Sequence, residues 1–241
     1  MNPTRRSAIL IALAINACAQ TPSVDRNLHI PRISRAPALE DFASGASMAE
    51  MVRVTGFRQR EPGDGTPVSR KTTAYLGYDD RNFYTVFVCE ERPGKVRARL
   101  NRREDIFNDD VVGLFLDTFR DRQHAFEFFV NPLGIQLDGI TTEGQGDDFS
   151  FDRLWHSEGR VTPEGYTALI AIPFRSLRFK SSDVQTWGLG LFRYIPENSE
   201  NAFWPFITHK VEGFAQQLGT LEGIERISPG RNLQFIPYGL F

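Results

Sequence analysis

The stretch DVVGLFLDTFRDRQHAFEFFVNPLGIQLDG, Asp110 to Gly139, sets two nearly apolar runs around a charged tip and spaces acids along both. Its second run shows a period of two. Phe126, Phe128 and Val130 point one way, while Glu127, Phe129 and Asn131 point the other, so one side faces a core and the other is partly wet. The runs are short and rich in β-branched and aromatic residues, which marks strands. Asp117 and Asp121 flank the hairpin tip between them, and Asn131 and Asp138 fall on the polar side.

The same pattern extends outward. Strand signals recur at 72–78, 83–89, 111–117, 125–131, 135–140, 154–159, 166–172 and 187–195, separated by Gly, Pro, Asn and Asp clusters. Residues 48–52 allow one helical turn, and no stretch offers a long amphipathic helix. In the last run, Trp187, Leu189, Leu191 and Arg193 share a face. Gly188, Gly190, Phe192 and Tyr194 share the other, where small glycines beside two aromatics leave room for another layer or a ligand. The expected fold is all-β: a two-sheet antiparallel β-sandwich, jelly-roll-like, with an extended N-terminal leader.

With 241 residues the chain is long enough for one large β domain without staples. A formal net charge of −2 with both signs scattered gives no basic stripe, which argues against nucleic acid as a partner. Twenty Phe against three Trp and six Tyr exceeds what one sandwich core usually consumes and points either to exposed stacking surfaces or, equally, to a Phe-heavy core. The start reads as an export signal over residues 1–19: Arg5 and Arg6, an apolar run from Ser7 to Ile15, and a small-x-small cleavage site at Ala17-Cys-Ala19. Cys18 as the lipid-bearing residue of a lipoprotein is the competing reading. Residues 20–37 read as an extended leader, 38–228 as the sandwich, and 229–241 as a linker and the opening of a further strand region. Cys89 is the one ordinary cysteine of the mature part and reads as a small buried apolar residue.

For catalysis, a glycoside hydrolase needs two carboxylates about 5–9.5 Å apart; nothing in the sequence marks such a partner for Asp117 or Asp121, which read as turn-capping acids. No nucleophile motif of the G-x-S-x-G kind and no zinc-type His/Cys spacing occurs. Hard oxygen donors cluster at Asp147, Asp148 and Asp152, the candidate ligands of a structural Ca²⁺, with a solvated acidic loop as the other reading. Sugar binding needs aromatic plates and planar polar groups. Trp155, Trp187 and Trp204 are the candidate plates.

An ordered series of pieces resembles the family 9 carbohydrate-binding modules, in the version placed before an outer-membrane β-barrel in a family of surface proteins. The pieces include Tyr78-Asp-Asp-Arg-Asn-Phe-Tyr84, Leu116-Asp-Thr-Phe-Arg-Asp121, Phe128 to Asp138, Phe151-Asp-Arg-Leu-Trp155, Ile172-Pro-Phe-Arg-Ser-Leu-Arg-Phe179 and Glu200 to Trp204. The resemblance implies a sandwich that binds polysaccharide or oligosaccharide without cleaving it, sometimes with structural calcium. It further implies a C-terminal outer-membrane barrel in the same longer chain, and hence a place in the periplasm or at the outer membrane or cell surface of a Gram-negative-type bacterium. The family's two clasping tryptophans map onto Trp204 and, less directly, Phe107. With these as plates, Arg103, Asn131 and Arg193 are the expected hydrogen-bonding groups. The sequence departs from the family pattern at Phe151-Asp152, where Trp-Asp is common, and at Leu169, where Glu is usual. A structural cap that docks on its own barrel without sugar is the alternative, and a hydrolase ranks last.

Overall fold

The computed structural model describes residues 26–100, 102–103 and 105–228. The expected export signal at 1–19 and the expected linker and strand region at 229–241 lie outside the described residues. Fourteen strands follow one another: β1 (Asn27–His29), β2 (Val52–Val54), β3 (Arg58–Glu61), β4 (Thr72–Tyr78), β5 (Asn82–Glu90), β6 (Val111–Asp117), β7 (His124–Val130), β8 (Gln136–Thr142), β9 (Gly146–Asp148), β10 (His156–Thr162), β11 (Gly165–Pro173), β12 (Val184–Ile195), β13 (Glu200–Trp204) and β14 (Gly219–Glu225). The helical turn expected at 48–52 is instead a hydrogen-bonded turn, closed by Met51 N–H to Met48 O, that feeds β2.

The strands make two sheets. The smaller runs β10-β11-β5-β4-β2, and the larger runs β1-β14-β12-β6-β7-β8-β9. The long β12 is paired on one side with β6; its other side is shared by β14 and by β13, and β3 continues outward from β13. Every named pairing except β1 with β14 is antiparallel. The opening stretch is therefore three adjacent strands, with Leu114 opposite Phe128 and Phe128 opposite Asp138.

Strand alternation divides the apolar residues into three layers. Leu114, Leu116, Phe126, Phe128, Trp187, Leu189 and Leu191 point inward against Leu76, Phe83, Phe87, Tyr166 and Ile170 of the other sheet. Each such burial contributes about 1.5–3 kcal/mol. Cys89 lies in this core as a free thiol. A hydrogen bond from the Tyr78 hydroxyl to Gly223 O, 2.7 Å long, ties the two sheets together. The outer face of the smaller sheet, with Tyr75, Tyr84, Val86 and Leu169, is sealed by Ile33, Leu39, Phe42, Met48 and Met51. The outer face of the larger sheet carries a third layer built chiefly of phenylalanine.

The charged tip between β6 and β7 is a capped turn. Asp117 accepts from the Asp121 and Arg122 N–H groups, and Asp121 accepts from those of Gln123 and His124. Among the described residues no helix is long and apolar enough to cross a membrane.

Candidate functional site

The third layer is only partly covered. Phe115, Phe129, Phe192 and Phe203 project from β6, β7, β12 and β13 to the same side and pack edge to face or tilted, with ring centroids 5.1–6.3 Å apart. They floor an open cleft of about 410 Å³, walled by Phe107, Phe149 and Phe214. Gly113 keeps this floor tight, because a Cβ there would meet the Phe129 ring at 2.2 Å. The glycines Gly188 and Gly190 lie under Leu218, so the room they leave is filled by a further layer.

Polar groups stand at opposite ends of the cleft. At the β3–β13 end, Asn201 donates to Glu61 at 2.9 Å, His209 Nε2 lies 3.0 Å from the same carboxylate, and Arg60 approaches His209 Nδ1 at 3.1 Å. An arginine on Nδ1 and a carboxylate on Nε2 suit an imidazole protonated at Nε2. Arg60 also lies over the Phe214 ring, and its Nε has no partner among the described residues.

At the β7–β9 end, Glu127 is 1 % exposed and its Oε2 has no donor among the described residues. Asp147 is in hydrogen-bonding contact with it, and no basic side chain acts on the pair's buried member. Burial and the Asp147 carboxylate push the Glu127 carboxyl up to about 9. Two carboxylates in contact repel unless a proton or cation lies between them. A neutral Glu127 that donates to Asp147 relieves the repulsion. Gly139 makes the arrangement fit, since a Cβ there would meet the Phe149 ring at 2.8 Å and Glu127 Oε2 at 3.2 Å.

Of the expected ligand-binding residues, only Phe107 is at this cleft, 42 % exposed and edge-on to Phe129 and Tyr194. Trp204 is a core residue, 6 % exposed, because it shares the inward face with Leu191 while its neighbour Phe203 takes the outward one. Trp155 and Trp187 are buried in the same core. The expectation that Trp204 is an outward plate is therefore corrected: the aromatic rings that floor the cleft are phenylalanines. Arg193 is wholly buried, donates to the Tyr166 hydroxyl and pairs with Asp110 at 2.8 Å, so both of its terminal nitrogens are engaged inside the sandwich, away from any ligand. Asn131 is buried and shapes a turn, accepting from Leu133 and Ile135 N–H and donating to Arg99 O and Asp109. Arg103 is held by Asp138 and, at 2.7 Å, by Asp152.

The three candidate calcium ligands do not converge. Asp147 faces the cleft, Asp148 accepts from Ser150, and Asp152 pairs with Arg103. Among the described residues no group of three or more His, Cys, Asp or Glu side chains is placed to hold a metal. The donors present do not fit a calcium site, and no step is built on one. A larger hollow of about 1020 Å³ opens beside β5 and β11, but its cations pair off: Arg70 with Glu91, Lys71 with Glu90, Arg92 with Glu197 and Arg160 with Glu40.

The cleft residues that sequence reasoning missed were visible as a face. Glu127 and Phe129, like Phe192 and Tyr194, share an outward side by alternation. The contact of Asp147 with Glu127 depends on β9 folding back onto β8, which no local signal announces.

The fold is similar to those of solved carbohydrate-binding modules. A candidate carbohydrate-binding protein from Bacteroides uniformis ATCC 8492 superposes with a TM-score of 0.62 at 13 % identity, covering 81 % of this chain and 98 % of that one. Two structures of a family 9 carbohydrate-binding module from Caldicellulosiruptor kristjanssonii also match. The one with cellotriose has a TM-score of 0.56 at 12 % identity over 89 % of this chain and 100 % of that one. The one with glucose has 0.55 at 13 % over 88 % and 100 %. No protein-family model matches the sequence, and no curated protein matches it.

Proposed function

We propose that the protein is a non-catalytic carbohydrate-binding module that takes its glycan in the phenylalanine-floored cleft of the larger sheet. The observation that carries this reading is the cleft itself: stacked rings beneath an opening with polar groups at both ends. Aromatic faces match the C–H faces of a pyranose, and the flanking amide, guanidinium and carboxyl groups suit its hydroxyls. The structural neighbours include a module in complex with cellotriose and with glucose, which supports the same reading. A hydrolase is disfavoured because Glu127 and Asp147 touch, whereas glycosidase carboxylates stand about 5–9.5 Å apart. The basic and apolar residues that read as an export signal at 1–19, and the resemblance to modules placed before an outer-membrane barrel, support an exported protein associated with the outer membrane.

Affinity electrophoresis against a panel of soluble glycans tests the site. The wild-type chain is expected to be retarded by at least one glycan, and Phe107→Ala to weaken that retardation roughly tenfold, equivalent to about 1.4 kcal/mol. Phe107 is half-exposed, so its removal leaves the fold intact. Retardation unchanged by the substitution would move the site elsewhere. Failure with every glycan would favour the cap that docks on its own barrel.

A further inference from the structure

We infer that the β7–β9 end of the cleft recognises a protonated amino group, so that the preferred ligand is a glycan bearing free amino sugars. This rests on the carbohydrate reading above and deepens it. Glu127 is sealed from water and presents an oxygen with no donor, and Asp147 adds a second carboxyl at the same spot. Both carboxylates are acceptors only when ionised, and a sugar hydroxyl brings one O–H donor for two acids. An ammonium brings three N–H donors, no acceptor and the compensating charge.

The surroundings favour the same chemistry. Phe115 stands directly across the ladder from Glu127, Phe129 follows two residues along the same face, and Phe149 packs over Gly139 beside it. The faces of such rings are negative and attract a cation, more so where water is excluded. The basic groups of the cleft are Arg60 and His209, held with Glu61 at the β3–β13 end. From β3 to β7 there are four strand steps, about 19 Å between backbones. The cleft is thus polarised: acids without a cation at one end, and at the other a guanidinium whose free Nε suits a sugar oxygen.

Isothermal titration of the whole chain with three β-1,4-linked trimers separates the possibilities: the glucosamine trimer, its N-acetylated counterpart and cellotriose. The three share a backbone and differ at one ring position. The amine trimer is expected to bind about tenfold more tightly than either neutral one, and Glu127→Gln, which keeps shape but cannot give up a proton to pair with an ammonium, to abolish the preference. Asp147→Asn, at an exposed position, is expected to reduce it as well and guards against a folding defect at the buried site. Equal binding of all three trimers, or a preference that survives both substitutions, overturns the amine inference and leaves the carbohydrate reading standing. No binding of any trimer, or of any glycan in the electrophoresis panel, brings down both.

Discussion

Asp110, just before β6, and Glu127, on the neighbouring β7, are carboxyl groups both withdrawn from water, in opposite company. Asp110, 2 % exposed, meets Arg193 at 2.8 Å and accepts the Arg97 N–H through an oxygen of the same side chain. The Arg193 guanidinium also reaches the Tyr166 hydroxyl and stands 3.9 Å from Glu91, which in turn holds Arg70 at 2.9 Å. Glu127 has a second acid for a neighbour and an oxygen without a donor. Desolvation is costly for either group. The inward acid offsets it with a guanidinium and an N–H donor, although Arg193 Nε finds no acceptor among the described residues; the outward acid has neither cation nor donor there, and it is the one that opens on a cleft. In a low dielectric a buried carboxyl with a cation and donors rigidifies the interior, whereas one left without them is completed by another component.

The sharpest way to break this contrast is to remove Arg193. Arg193→Met keeps most of the apolar stem but strands Asp110 and Glu91 without their cation, and breaking a buried pair in this way costs about 3–5 kcal/mol. For a chain of this size that lowers Tm by roughly 10 °C. Adding Asp110→Asn is expected to restore part of the loss, because the stranded charge disappears with it. Chemical denaturation measures both. A loss below about 1 kcal/mol for the single variant would mean that water reaches these acids, and the inward site would no longer differ in kind from the outward one.

The sequence carried the sandwich further than it carried the site. The runs at 72–78 and 111–117 are strands with the expected limits, and the alternation of Phe126, Phe128 and Val130 against Glu127 and Phe129 is the alternation of the folded sheet. Strand period is a local property, so it can be read locally. The short strands β2, β3 and β9 were not legible, since Val52–Val54, Arg58–Glu61 and Gly146–Asp148 are too brief or too polar to show a period. The plates were misplaced for a related reason. In Ala202-Phe-Trp204 successive residues face opposite sides, and only the register with β12 decides that Phe203 goes outward and Trp204 inward. Arg193 likewise shares a face with Trp187, Leu189 and Leu191, which was readable, but its partners Asp110 and Tyr166 lie far off in sequence.

A smaller effect, per unit of pH, isolates the outward acid. Unfolded, Glu127 loses its proton near the ordinary glutamate value of 4.5; folded, it keeps it up to about 9. Between those values the folded chain holds a proton that the unfolded chain has released, so stability falls as pH rises through the window, by up to about 1.4 kcal/mol per unit. Below the window both states are protonated and Glu127 contributes no slope. Glu127→Gln cannot ionise and is expected to remove this part of the slope, making the variant more stable than wild type at pH 8. Urea denaturation at several pH values from 5 to 8.5 compares the two chains. Parallel profiles would show that Glu127 is hydrated and ionised in the folded protein, and the contrast with Asp110 would collapse.

The acids of the β9 region give the smallest expected effect and test the rule from a third side. Asp152 is largely exposed and pairs with Arg103, an arrangement worth about 0–1 kcal/mol at a protein surface. Asp148 is occupied by the hydroxyl and N–H of Ser150, and Asp147 is turned to the cleft. Because these acids are already partnered or pointed apart, nothing in their placement calls for a divalent ion. Asp152→Ala is therefore expected to cost under about 1 kcal/mol, and adding calcium or a chelator to shift Tm by less than about 1 °C. A clear rise of Tm with calcium, lost in Asp152→Ala, would show that the loop regroups its carboxylates around an ion. Open acids beside the cleft would then be completed by a metal rather than by a ligand's own cation.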